Sequence, residues 1–170
     1  MKETKKNASA GAERWKKLCL AALFAAAVYV ATGVLPRIPA VVGYLHIGDA
    51  VVYLSAVLLP HGYAACAAAI GAGLADLTSG YALWIPATVV IKALTVFCFS
   101  RGRVICKKNL LALLAAAALC VGRYYVWEAI VYHSVAAPLV SLGGNLLQAA
   151  ASAVLFLLAG AVLDRRKTKK

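Results

Sequence analysis

The sequence predicts an all-α membrane protein, six transmembrane helices with both termini in the cytoplasm, and three observations carry that prediction. The 170 residues are 64% hydrophobic and only 14% charged, with a mean hydropathy of +0.83, a composition that belongs to a chain immersed in lipid. Apolar runs recur along nearly the whole length and leave no stretch for a soluble domain. Fifteen of the 18 lysines and arginines fall in three groups. Lys2, Lys5, Lys6, Arg14, Lys16 and Lys17 precede the first apolar run; Arg101, Arg103, Lys107 and Lys108 share one internal loop; Arg165, Arg166, Lys167, Lys169 and Lys170 end the chain. Basic clusters that alternate with apolar runs mark cytoplasmic loops. The net charge of +12 therefore points to an anionic leaflet rather than to nucleic acid.

Residues 1–13 read as a disordered basic tail, residues 14–164 as the membrane domain and residues 165–170 as a second basic tail. Leu18 to Leu35 is an 18-residue apolar run, longer than the ~7–15 residues of a signal-peptide core, and predicts a retained helix over about 16–35 that stops before Pro36. Helices 2 and 3 are predicted at about 47–59 and 63–77, turning at Pro60, His61 and Gly62. Helix 4 opens near Pro86, where the missing amide hydrogen costs nothing, and runs to about Ser100. Helix 5 covers about 110–132, and helix 6 covers about 139–163 behind Pro138. With six spans, the three loops on the outer side carry Arg37 alone among the basic residues. Helices 2 and 3 are short for a ~30 Å hydrocarbon core. A re-entrant hairpin is the alternative there, but it would move every later loop to the opposite side.

That topology gives each polar residue a depth. His46 and Asp49 open helix 2 at the outer face, Asp76 closes helix 3 there, and Tyr81 and Trp84 lie in the outer loop. Lys92 is about two turns into helix 4, Arg123, Trp127 and Glu128 occupy the outer half of helix 5, and Asn145 and Gln148 the outer half of helix 6. Charges in lipid are costly and mark function by default, so these residues form a candidate pocket that opens outward. Asn145, Gln148 and Ser152 share one helix face, as do Arg123 and Trp127. Each has a structural alternative: the amides can lock helices together, Asp49 can cap helix 2, and Asp76, at a negative helix end, wants a cation such as Lys92. His61 and His133 read as solvated. The five cysteines have no ligand spacing and read as small apolar helix residues.

Ala21 with Ala25, and Ala22 with Ala26, are small-xxx-small pairs that allow close helix approach, within the chain or to a partner. The sequence has no GxxxxGK[ST], no HExxH and no GxSxG, so no ATP-binding loop, zinc protease site or serine nucleophile is visible.

The stretch from His46 to Leu94, "HIGDAVVYLSAVLLPHGYAACAAAIGAGLADLTSGYALWIPATVVIKAL", together with "GGNLLQ" in helix 6, resembles the substrate-binding S component of an energy-coupling-factor (ECF) type vitamin transporter. It is similar to the branch with riboflavin, hydroxymethylpyrimidine and pyridoxine-type substrates. The resemblance implies a non-enzymatic capture protein that binds a vitamin or precursor, a flat nitrogen heterocycle, from outside. Such a protein docks on an EcfT-like transmembrane subunit and is energised by two EcfA-type ATPases. It implies no cofactor on this chain, with ATP used by the partner ATPases, a prokaryotic plasma membrane as location, and a docking face at Ala21, Ala22, Ala25 and Ala26. Trp84, Lys92, Asn145 and Gln148 correspond by position to the pocket, with Asp49 and Asp76 nearby, while His46 departs from the pattern. Two other readings remain open: a self-sufficient small secondary transporter or channel acting as a homo-oligomer, and a membrane enzyme using Asp49 and Asp76 as acid and base.

Overall fold

Lysine, glutamate and alanine, all good helix formers, fill the start of the chain, and in the computed structural model, which describes residues 2–36, 38–39 and 44–168, they are helical. Helix α1 (Lys2–Tyr29) thus begins well before residue 16, and the segment expected to be disordered belongs to it. No proline interrupts the run, and a Glu13–Lys17 ion pair at 3.4 Å staples the polar part to the apolar part. The last helix likewise continues past its expected end near 163 to Thr168, with Arg165 and Arg166 at the helix end that favours cations; residues 169 and 170 lie outside the described residues.

A π-helical turn at Val30–Val34 ends the first helix. The next connection carries a two-residue antiparallel pair, β1 (Ile38–Pro39) and β2 (Tyr44–Leu45), in which Ile38 faces Leu45; the sequence reading did not foresee it. Then follow α2 (Gly48–Leu58), α3 (His61–Thr78), a 3₁₀ turn (Ala82–Trp84), α4 (Ile85–Phe97), α5 (Lys107–Val131) and α6 (Leu139–Thr168). The six predicted helices are all present, each edge within a few residues apart from the two basic ends. Three are long and apolar enough to cross a membrane, at Gly11–Val34, Lys107–Val131 and Leu139–Arg166. Helix α2, with 11 residues, rises only about 17 Å. Large apolar side chains such as Leu23, Leu74, Val90, Leu114, Val126, Leu147 and Leu158 are exposed around the bundle, a surface suited to lipid and not to water.

Successive helices run in alternate directions. The half that holds the starts of α2, α4 and α6 is called upper here, and the half that holds the starts of α3 and α5 lower. Small residues set the closest approach: a Cβ on Gly71 of α3 would stand 2.4 Å from the Ala25 carbonyl oxygen of α1, so the two backbones touch only because glycine is there. The lower half is filled by Tyr53, Phe99 and Phe156. Tyr53 and Phe99 stack with centroids 4.9 Å apart, and Phe156 meets Phe99 edge-on at 5.5 Å.

The lower loop between α4 and α5 is held by side chains from other elements. Asn109, fully buried, accepts from the Ser100 amide at 2.7 Å and turns its amide nitrogen to the carbonyls of Ser100, Arg103 and Val104. Asp164 of α6 accepts from the amides of Val104 and Ile105 at 3.1 and 2.8 Å. His61, expected to be solvated, is corrected: its Nε2 lies 2.9 Å from the Phe99 carbonyl, which requires that nitrogen to carry the proton. The aromatic triplet and the loop lock make the lower half a closed floor under the polar upper half.

Candidate functional site

Helix α2 starts where it does because Gly48 lets it. A Cβ there would fall 1.9 Å from Thr32 Oγ1, so only glycine lets the first turn of α2 sit against the π-helical turn. That contact sets Asp49, 2% exposed, in the first turn of α2, facing α4 and α6.

On α4, Pro86 opens the helix and Lys92 follows in its second turn, 4% exposed. Lys92 Nζ donates to Asp49 Oδ1 in a very short buried ion pair. Gln148 of α6 donates from Nε2 to Asp49 Oδ2 at 3.1 Å, and its Oε1 accepts from the His46 amide at 3.3 Å. His46 Nδ1 accepts from the Gly48 amide at 3.1 Å. The Asp49 carboxylate is thus used at both oxygens, which a buried charge requires, and one salt bridge with its amide ties α2, α4 and α6 together.

The arrangement corrects two readings of the acids. Asp49 does not cap α2: Ile47 is the N-cap residue and no side chain caps that end. Lys92 pairs with Asp49, not with Asp76. Asp76 is buried at the upper end of α3, and its carbonyl accepts from the Tyr81 amide at 2.8 Å, so it anchors the turn that carries Tyr81 and Trp84. Those two rings meet edge-on with centroids 5.9 Å apart. The Gln148 amide locks α6 to α2, the structural alternative given for it, and in doing so completes the polar group around Asp49. Asn145, one turn earlier on α6, is half-buried and makes no hydrogen bond among the described residues.

A second polar group lies between α4 and α5. Arg123 donates from Nη1 to Thr88 Oγ1 at 3.2 Å, and its guanidinium carbon lies 3.8 Å from the centre of the Tyr124 ring. Trp127, one turn further along α5, lines with Arg123 a groove of about 570 Å³ whose remaining wall is apolar, from Pro86 and Val90 to Leu119 and Val126. Glu128 is buried and accepts a short hydrogen bond from the Ser141 hydroxyl, which links α5 to α6 rather than facing an interface. Thr88, Thr32 and Ser141 were missed by the sequence reading. Thr88 was within reach, since it stands four residues before Lys92 and so shares its face; Ser141 and Thr32 carry no such signal.

The alanines proposed for docking are split by the fold. Ala21 and Ala25 are half-buried and Ala22 and Ala26 exposed. Ala21, Ala22 and Ala25 line an apolar groove of about 520 Å³ between α1 and α3, with Leu18, Tyr63, Cys66 and Ile70 among its other walls. The backbone of Ala25 is spent inside the chain against Gly71, while the methyl face around Ala22 remains open. All five cysteines are free thiols. No group of three or more His, Cys, Asp or Glu side chains that could hold a metal occurs among the described residues.

A comparison with curated proteins returns no match. The model of one family, described as the S component of an ECF-type riboflavin transporter, matches residues 13–165, which takes in all six helices and both polar groups. That family is one of transport subunits, not of enzymes. The chain belongs to the family of ECF-type riboflavin transporter S components, membrane proteins of vitamin uptake.

Proposed function

We propose that this chain is the substrate-capturing subunit of an ECF transporter, that its six helices lie in a prokaryotic plasma membrane with both termini in the cytoplasm, and that it takes a flat nitrogen heterocycle from outside. The upper half is then the outer half, and the basic loop at 101–108 and both basic ends face the anionic inner leaflet. The observation that carries the reading is the buried Asp49–Lys92–Gln148 group joining α2, α4 and α6, beside the Arg123 group of α5. Polar side chains from four helices meet in one half of the bundle, whereas the polar side chains of the other half, Asn109 and Asp164, are spent on the backbone of one loop. A transport subunit needs such an arrangement, and a helix bundle in lipid otherwise has no use for it.

Riboflavin, named in the description of the matching family, is the first candidate, and hydroxymethylpyrimidine or pyridoxine-type compounds share the same chemistry. Flat rings stack on Trp84 or Trp127, and Asn145, whose side chain makes no hydrogen bond among the described residues, offers both donors and an acceptor. His46, Asp49, Asp76, Tyr81, Lys92, Arg123 and Gln148 complete the proposed lining.

Delivery requires partners, an EcfT-like subunit and two EcfA-type ATPases that use ATP. The α1–α3 groove at Ala21, Ala22 and Ala25, with Ala26 beside it, is the proposed docking face. Mass spectrometry of small molecules released by denaturing the gently purified protein tests the capture role. A stoichiometric heterocycle is the expected result; repeated uptake by the isolated chain in liposomes would instead remove the need for partners and overturn the reading.

A further inference from the structure

The Arg123 guanidinium is buried to 8% exposure, and only one of its three nitrogens is answered. Nη1 reaches Thr88 Oγ1, whereas Nε and Nη2 find no acceptor. The indole nitrogen of Trp127, also buried, finds none either. Of the buried carboxylates, Asp49 is engaged by Lys92 and Gln148 and Glu128 by Ser141, and no ion pair joins Asp76 to Arg123 among the described residues. Arg123 and Trp127 stand one turn apart on α5 and both line the groove between α4 and α5. Three donor nitrogens, each buried, thus lie beside one apolar groove whose wall has no side-chain acceptor to receive them.

We infer that Arg123 and Trp127 form an acceptor-binding subsite, which holds an acceptor oxygen of the ligand. Ring carbonyls, carboxylates and phosphate oxygens have that chemistry. A guanidinium fork with an indole N–H beside it can only donate, so it binds an acceptor oxygen and offers nothing to an ammonium group. Tyr124 under the guanidinium and Thr88 at Nη1 hold the fork in one orientation, so the free edge is set before the ligand arrives. Arg123 is eight residues inside the Val131 end of α5 and sixteen from the Lys107 end, roughly 12 Å and 24 Å along the helix. Both distances put it below the level of a lipid phosphate, which favours a small molecule over a headgroup. The inference rests on the capture reading and adds the kind of group the captured molecule must present.

The test uses the full chain in nanodiscs with two probes. Riboflavin, which has two ring carbonyls, is followed by quenching of its fluorescence, and inorganic phosphate and acetate are followed by the shift they cause in Tm relative to chloride. Arg123→Gln is expected to weaken riboflavin binding about tenfold or more and Trp127→Phe about threefold, with partial recovery in Arg123→Lys. Phosphate or acetate should raise the Tm of the wild-type chain and not that of Arg123→Gln. Riboflavin binding unchanged in a folded Arg123→Gln would overturn the subsite and leave the capture reading standing. If the wild-type chain binds no riboflavin, that substrate fails while the anion shift still decides the subsite: an Arg123-dependent shift supports it, and no shift overturns it. A loss confined to copurifying phospholipid would assign the groove to lipid and also overturn the inference. Should Arg123→Gln not fold, Arg123→Lys carries the comparison, because it keeps the charge and loses the fork.

Discussion

The two halves of the bundle are held by different physics. In the lower half, Tyr53, Phe99 and Phe156 fill the interior, and Asn109 and Asp164 satisfy the backbone of one loop. In the upper half, charges do the joining: Asp49, Lys92 and Gln148 across three helices, Arg123 and Thr88 across two. Shape and satisfied backbone groups make a half that has one arrangement. Charges make a half that is fixed only while its partners are present, with donors still unused at Arg123 and Trp127. The lower half is a scaffold and the upper half is chemistry.

Three substitutions sharpen that contrast. The largest effect is expected from Asp49→Ala, which leaves Lys92 buried without its carboxylate and should cost about 3–5 kcal/mol, read as a lowered Tm and lost ligand binding. Replacing both members, Asp49→Leu with Lys92→Leu, should return most of the stability without returning binding. Recovery of both would make the ion pair purely structural. Next, Asn109→Ala removes the clamp on the lower loop and should cost about 2 kcal/mol, while the dissociation constant of the bound heterocycle stays within about twofold, because the clamp belongs to the other half. A large loss of affinity there would join the two halves into one unit. The smallest effect on the isolated chain is expected from Ala22→Leu, at an exposed position: stability and binding change by less than about 0.5 kcal/mol, whereas uptake by the assembled transporter falls. Normal uptake would move docking off the α1–α3 groove.

How much could be read beforehand followed the same division. Helices were legible because apolar runs and prolines are local signals: Pro86 and Pro138 marked the starts of α4 and α6 within a residue or two. The first helix reaches further into the polar N-terminal segment than expected, because lysine, glutamate and alanine favour helix there. The charged and amide residues of the two polar groups stood out in an apolar sequence, and their place in one half of the bundle followed from the helix order. Their partners did not. Asp76 was the expected partner of Lys92, and the pairing with Asp49 instead depends on Gly48, whose missing side chain lets α2 settle against Thr32. A glycine's role in such a contact depends on what faces it, which the sequence does not state. The β1–β2 pair was hidden for a similar reason, since two residues per strand are too few to show an alternating pattern.

The groove between α1 and α3 has one wall residue of a different kind. Cys66 is an exposed free thiol there, among alanines, a leucine, an isoleucine and a tyrosine, whereas Cys120 is buried. The chain therefore carries a native chemical reporter on the face proposed for docking. A membrane-permeant alkylating reagent should modify Cys66 in the isolated protein, as it should Cys19, the other exposed thiol, and the rate at Cys66, read on its own peptide, measures how much of the time the face is covered.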